Sequence, residues 1–275
     1  MRTLLKIVNV LPSSWRTWIF QTLIRVDEGE LAHIEVKLAT TANERVQASR
    51  LLHDAYVARG LLEPQPLGLR VTPHLFEPTT AIFVAKEGPT VIGTMALILD
   101  SPVGLPMDAI YGEELRALRR RRRRIAEVGA LCVAPGHRRL GVAFLLNKIM
   151  WRCAREVLSI DQLVIAVHPD VREVYRDTLM FESFGGEKTY PGLNRRALAV
   201  ALRLDVRRSV WNGRRKWGHL GASKRNLFHL YVERREPLLR MPRPADLDAA
   251  AAVQRRIGGT LLGKAAPART AAASR

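Results

Sequence analysis

The chain has 275 residues, 47% of them apolar and 25% charged, which is ordinary globular composition and excludes a disordered or collagen-like chain. Two cysteines, Cys132 and Cys153, are too few for a disulfide scaffold or a structural zinc cluster, and they point to a reducing, cytoplasmic compartment. The net charge of +18 is unevenly placed: residues 207–275 hold 16 basic and 4 acidic side chains, while residues 1–206 hold 28 and 22, with six of those basic residues in the run Arg119–Arg124. A near-neutral body with two basic additions calls for an anionic partner that docks locally.

Residues 1–30 read as an N-terminal extension. Its first 26 residues are apolar and basic, with Trp15, Trp18, Ile19, Phe20, Leu23 and Ile24, no acidic residue, and Pro12 dividing the stretch. No apolar run approaches the ~18–20 residues of a bilayer span, and no apolar core leads to a secretory cleavage site. A helix packed on the body is the simpler expectation; a basic helix lying on an anionic membrane is the other.

From Ile34 the periodicities are clear. Ile34–Leu38 alternates as a half-buried strand. Thr41-Ala-Asn-Glu44 is a capping box opening a helix to about Gly60. A loop with Pro64, Pro66, Pro73 and Pro78 follows, then a hairpin of Ala81–Ala85 and Val91–Leu99. After the loop Ser101–Asp108 come a charged helix from about Ile110 to Arg123 and a strongly apolar strand, Glu127–Val133. A helix from about Val142 to Val157, a strand Leu163–Val167 and a helix Val171–Met180 precede a strand Ala197–Leu204, reached through the turn Tyr190–Asn194. The order β, α, ββ, α, β, α, β, α, β implies a mixed α/β sheet flanked by helices over residues 31–206. Beyond it, Trp211 to Trp217 is basic with interleaved aromatics, Leu227–Val232 is an apolar patch able to pack back on the body, and the chain from about 241 reads as disordered.

Chemistry is concentrated at one strand-to-helix junction, Val133-Ala-Pro-Gly-His137-Arg138-Arg139-Leu140-Gly141-Val142-Ala143. A glycine in a loop opening onto a helix lets backbone N–H groups face an anion, the helix dipole favours negative charge, and two arginines add their own. This is a phosphate-binding site in sequence form.

The spacing Arg-x-x-Gly-x-Ala after a buried strand resembles the acyl-CoA loop of GCN5-related N-acetyltransferases. Further stretches resemble long-chain N-acyl amino acid synthases of the FeeM type, relatives of acyl-homoserine lactone synthases. They are Pro78–Ala85, Asp100-Ser-Pro-Val-Gly-Leu-Pro-Met-Asp108, Ala126-Glu127-Val128, Ile165–Pro169, Tyr175–Phe181 and Tyr190–Asn194. The resemblance spans about residues 34–206. It implies the acetyltransferase fold, with a mostly antiparallel sheet, and transfer of a long-chain acyl group from an acyl carrier protein to the amine of an amino acid. Two positions depart from the family pattern: Gly129-Ala130 stands where Ser-Arg is expected, and Met180 replaces a glycine before Phe181.

On this reading Glu127 is the general base that frees the attacking amine, with a structural or ammonium-binding role as its alternative. Tyr175 protonates the leaving thiolate or is a packed core tyrosine. Val133 holds the pantetheine arm through its backbone, and Arg138, Arg139, Gly141, Val142 and Ala143 bind its phosphate. Met107, Asp108 and His168 border the substrate. Cys132 and Cys153 are core residues. No metal or permanently bound cofactor is expected; the donor is acyl-phosphopantetheine on an acidic carrier protein, or acyl-CoA. The basic regions would steer such a carrier. The alternatives are an acetyl-CoA-dependent N-acetyltransferase acting on another amine, and a non-catalytic nucleic-acid or membrane binder on the same fold.

Overall fold

The computed structural model describes residue 9 and residues 11–23, 31–138, 141–190, 197–221 and 226–265. Seven strands form one sheet in the order β1-β2-β3-β4-β5-β7-β6. They are β1 Ile34–Leu38, β2 Ala81–Glu87, β3 Thr90–Leu99, β4 Ile125–Val133, β5 Gln162–Val167, β6 Glu182–Thr189 and β7 Leu198–Asp205. Every neighbouring pair is antiparallel except β4 with β5. The expected mixed, mostly antiparallel sheet is therefore present.

One strand escaped the periodicity. β6 reads Glu-Ser-Phe-Gly-Gly-Glu-Lys-Thr, with two glycines and little alternation. It lies at the sheet edge, where half of each residue faces solvent and apolar patterning is not needed. The turn expected at Tyr190–Asn194 lies, beyond Tyr190, outside the described residues.

Helices cover both faces. The first is α1 Ser13–Leu23. The capping box at Thr41 forms, with its side chain accepting the Glu44 N–H at 3.2 Å, and opens α2 Ala42–Ala58. Glu44 also takes Lys37 at 2.8 Å and Lys86 at 3.1 Å, tying α2 to β1 and β2. Burial opposes its charge, but the two ammonium groups and the Thr40 N–H outweigh it and hold the carboxyl down at about 2. α2 and α3 (Asp108–Arg119) pack one core with Val84, Ile98 and Val164. On the other face, α4 (Val142–Arg152, prolonged by a π-turn Cys153–Val157) and α5 (Arg172–Leu179) pack with Met95, Val128 and Ile165.

The terminal segments are built into this body. α1 lies along α5, where Arg16 bonds Asp177 at 2.7 Å and Glu173 at 3.2 Å, so the packed-helix expectation holds for the described part. After β7, α6 (Val206–Trp217) and the Leu227–Leu230 patch bury Trp217, Leu227, Phe228 and Leu230 against the α4 face.

The chain then crosses to the far sheet edge. Val36 donates to the Leu238 carbonyl at 2.9 Å and Arg240 donates back to Val36 at 2.8 Å, a short parallel bridge onto β1.

The expected disorder from about 241 is corrected here: α7 spans Pro244–Ala265. Its composition concealed this, since alanine supplies helix propensity but little apolar side chain to mark a face. α7 buries Ala250 and the whole of Gln254, whose amide bonds the Arg45 guanidinium on α2 and the Leu75 carbonyl. No helix among the described residues is long and apolar enough to cross a membrane.

If α7 is docked through Gln254, Gln254→Ala costs about 1–3 kcal/mol in urea unfolding of the full chain, because a buried guanidinium loses its partner. A tail without structure would leave the midpoint unchanged.

Candidate active site

The site is set by where two strands part. β4 and β5 pair only at Ile125–Gln162, Ala126–Leu163 and Glu127–Val164. Beyond that point β4 stays with β3 and β5 with β7, so their main-chain edges diverge into a cleft. On β4 the register slips between Gly129 and Cys132, with Ala130 at φ 53°, the mark of a bulge that bends the strand away.

Glu127 occupies the last paired position and is 5% exposed. Its carboxylate accepts the Met107 N–H at 2.8 Å. Burial pushes the carboxyl up to about 8, against the pull of that N–H and with added repulsion from Asp108.

The loop that delivers Met107 is held by Arg119. Its guanidinium grips Asp108 and Asp100, each through two contacts of 2.7 Å. Asp108 also accepts the Leu105 N–H at 2.7 Å. Burial works to raise Asp108, and Arg119 with that N–H outweighs it, so the carboxyl stays below its ordinary range. Gly104, at φ 78°, is required here, since a Cβ would sit 2.9 Å from an Asp108 oxygen. Asp108 thus shapes the loop, and the first arginine of the basic run is structural, while Arg120–Arg124 are exposed.

Three residues to which the sequence assigned no site role share this side of the sheet. Arg70, in the proline-rich loop, has its N–H on the Ser49 carbonyl at 3.1 Å and its carbonyl on the Ser49 hydroxyl at 2.8 Å. That double tie sets its guanidinium 5.7 Å from the Tyr56 ring centroid. Burial raises Tyr56, opposed by the charges of Arg70 and Arg59 and aided by Cys132 and Glu127. Burial likewise raises Tyr190, which feels Glu127, Tyr56 and Arg70. Glu127, Tyr56, Arg70 and Tyr190 therefore form one electrostatic neighbourhood. Among the described residues, Arg70 makes no ion pair. Arg70 and Tyr190 lie in irregular segments where period carries no signal.

On the opposite face lies the phosphate-loop candidate. After Val133, a turn Pro135–His137 leads to Gly141 at φ 75°, which caps α4 and leaves the first N–H groups of Val142 and Ala143 at a helix N-terminus. Arg138 is exposed and its Nε donates to the Val133 carbonyl at 3.3 Å. His137 bonds Glu87 at 3.1 Å, pinning the turn to the β2–β3 hairpin. Arg139 lies outside the described residues.

Tyr175, on α5, packs edge-on to Phe181 with centroids 5.6 Å apart, and burial raises its pKa, so the phenol stays protonated. Among the described residues its hydroxyl has no hydrogen-bond partner. It lies across the sheet from Glu127, in the core of Val128.

The structure does not bring His168 to this cluster. Its ring accepts the Asp170 N–H at 3.2 Å and caps the turn after β5. Cys132 and Cys153 are buried free thiols, and burial pushes Cys153 up to about 12.

Folding raises Glu127 above its ordinary 4.5, so the folded chain holds that proton more tightly than the unfolded one. The resulting stability is complete below about pH 4.5 and is lost as pH rises through about 8. Measured by thermal unfolding across pH, wild type should lose on the order of 3 kcal/mol relative to Glu127→Gln over that window. Parallel pH curves would contradict the buried carboxyl.

The family model for the N-acyl amino acid synthase FeeM matches residues 47–205. The solved structure of FeeM, from uncultured soil microbes, is 29% identical, with 65% of this chain and 93% of that chain covered and a TM-score of 0.57. A CoA-dependent acyl-homoserine lactone synthase, BjaI, solved with SAM and isopentyl-CoA, is 20% identical, covering 82% of this chain and 99% of its own at a TM-score of 0.52, a likeness of fold. Among curated proteins no sequence matches. The family match takes in both parting strands and extends over more than half of a chain folded as a mixed, mostly antiparallel sheet, so the chain belongs to the FeeM family of N-acyl amino acid synthases and is an N-acyltransferase.

Proposed function

We propose that the protein transfers a long-chain acyl group from the phosphopantetheine thioester of an acyl carrier protein to the α-amine of an amino acid. The observation that carries this reading is Glu127: a buried carboxyl at the parting of β4 and β5, with a cationic, tyrosine-lined neighbourhood on one side and a phosphate-type turn on the other.

In this mechanism the donor phosphate lies on the turn of Arg138, Arg139, Gly141, Val142 and Ala143, and its pantetheine arm runs past the Val133 backbone into the cleft. The acceptor enters from the opposite face, with its carboxylate on the Arg70 guanidinium. Glu127 takes a proton from the ammonium, directly or through a water. The freed amine attacks the thioester carbonyl, the tetrahedral intermediate collapses, and the C–S bond breaks. The departing thiolate takes its proton from Tyr175. As the amide forms, the second N–H proton of the intermediate returns to the Tyr175 phenolate through water and Glu127 releases its proton to solvent, so ammonium and thioester give amide, thiol and one proton.

A buried carboxyl near 8 is half-ionised at about pH 8 and, when ionised, is a strong enough base to compete for an ammonium proton. Arg70 supports an amino acid over a simple amine, because a half-buried cation without an ion partner gains most from a carboxylate. The exposed arginines Arg120–Arg124 suit an acidic carrier. CoA shares the phosphopantetheine arm and is the competing donor. Anionic membrane near the N-terminal helix would retain a lipidic product.

Cells expressing the full chain should accumulate N-acyl amino acids, detected by mass spectrometry of lipid extracts. With purified protein, kcat/KM should rise with pH through an apparent pKa near 8, and Glu127→Gln should lower it by about 10²–10⁴. No product from either carrier-protein or CoA donors, in extracts or in vitro, would sink the reading. Arg70→Met should raise the amino-acid KM by about tenfold or more. An equal loss with a decarboxylated amine would remove Arg70 from the carboxylate role.

A further inference from the structure

The family match ends at residue 205, and the next element, α6, begins at Val206. That boundary runs through the wall of an apolar cavity on the α4 face of the sheet. From the family domain come Val128, Ile165 and Met180. Val128 follows Glu127 at the first unpaired step of β4, and Ile165 follows Val164 at the first unpaired step of β5. The cavity therefore opens where the strands part. From the segment after residue 205 come Gly213, Trp217 and Phe228.

The cavity is narrow, about 60 Å³, room for about two water-sized groups. Two residues set that width. Gly213 leaves space beside the Phe228 ring, where a Cβ would stand 3.3 Å from Phe228 Cδ2 and 3.5 Å from Met180 Cε. Met180 sits at φ 60°, the left-handed conformation that glycine adopts freely and a methionine enters at a cost. A strained methionine aimed into a cavity, at a helix C-terminus where glycine would relax the backbone, points to a function for its side chain. Its thioether is flexible and can yield to an entering chain.

Resting on the acyl-transfer reading above, we propose that residues 206–217 and 227–232 form the end wall of the acyl channel and that Met180, Gly213 and Phe228 set the length of acyl chain the enzyme transfers. The chain enters between Val128 and Ile165 with its thioester in the cleft, and its tail meets a wall that the family domain does not supply. A hydrophobic pocket discriminates by room for each methylene, and a single methylene changes the preference by about tenfold or more.

The test uses the full-length chain and purified acyl donors graded in length, with N-acyl products resolved by mass spectrometry. Met180→Gly relieves the left-handed strain, so it should stay folded, and it should shift the ratio of longer to shorter products upward by about tenfold. Phe228→Ala should shift it the same way, and Gly213→Ala should shift it toward shorter chains. Circular dichroism identifies any variant that fails to fold, and Met180→Gly alone then decides. An active Met180→Gly with an unchanged length profile overturns the channel assignment while leaving the acyltransferase reading intact. A wild-type chain that makes no N-acyl product with any donor overturns that reading, and the length gauge with it.

Discussion

A single buried hydrogen bond organises the centre of this protein: the Met107 N–H on the Glu127 carboxylate. A carboxyl almost wholly removed from water is costly to ionise, and one backbone donor recovers only part of that cost. The rest of the local structure serves to hold the donor. Arg119 closes the loop by gripping Asp100 and Asp108, and Gly104 supplies the turn that lets Asp108 reach back to Leu105. The outcome is a carboxyl kept largely uncharged at neutral pH, unlike a surface glutamate.

The second constraint is the short pairing of β4 and β5. Three residue pairs hold the strands together, and the bulge at Ala130 turns β4 away immediately beyond them. A sheet that opens in its middle exposes main-chain groups from two edges and connects its two faces. Here one face carries Arg70, Tyr56 and Tyr190 beside Glu127, and the other carries the α4 turn and Tyr175. Two substrates can approach the same point from opposite sides without competing for space, as direct transfer between them requires.

The basic excess divides into structural and free parts. Arg16, Arg119, Arg240 and Arg243 pair with Asp177, Asp108, Glu35 and Asp246. Arg120–Arg124 stay in solvent. Part of the positive charge therefore holds extensions to the body, as Arg16 and Arg240 do, and part is presented outward.

The amino-acid sequence by itself determined the strands and helices whose burial repeats with a regular period: the alternation of Ile34–Leu38, the capping box at Thr41 and the apolar β4. Local backbone chemistry marked the Gly141 turn, and the resemblance to FeeM-type synthases singled out Glu127 and the Met107–Asp108 loop. β6 was hidden, since an edge strand has no full pattern to show, and so was α7, whose alanines mark no face. Only the tertiary structure decided that Arg70, Tyr56 and Tyr190 share one electrostatic neighbourhood with Glu127, that His168 is a turn cap, and that the segment after Asp205 walls an apolar cavity. Those outcomes come from contacts between residues far apart in the chain. Such contacts are fixed by packing and burial, which leave no periodic trace in sequence.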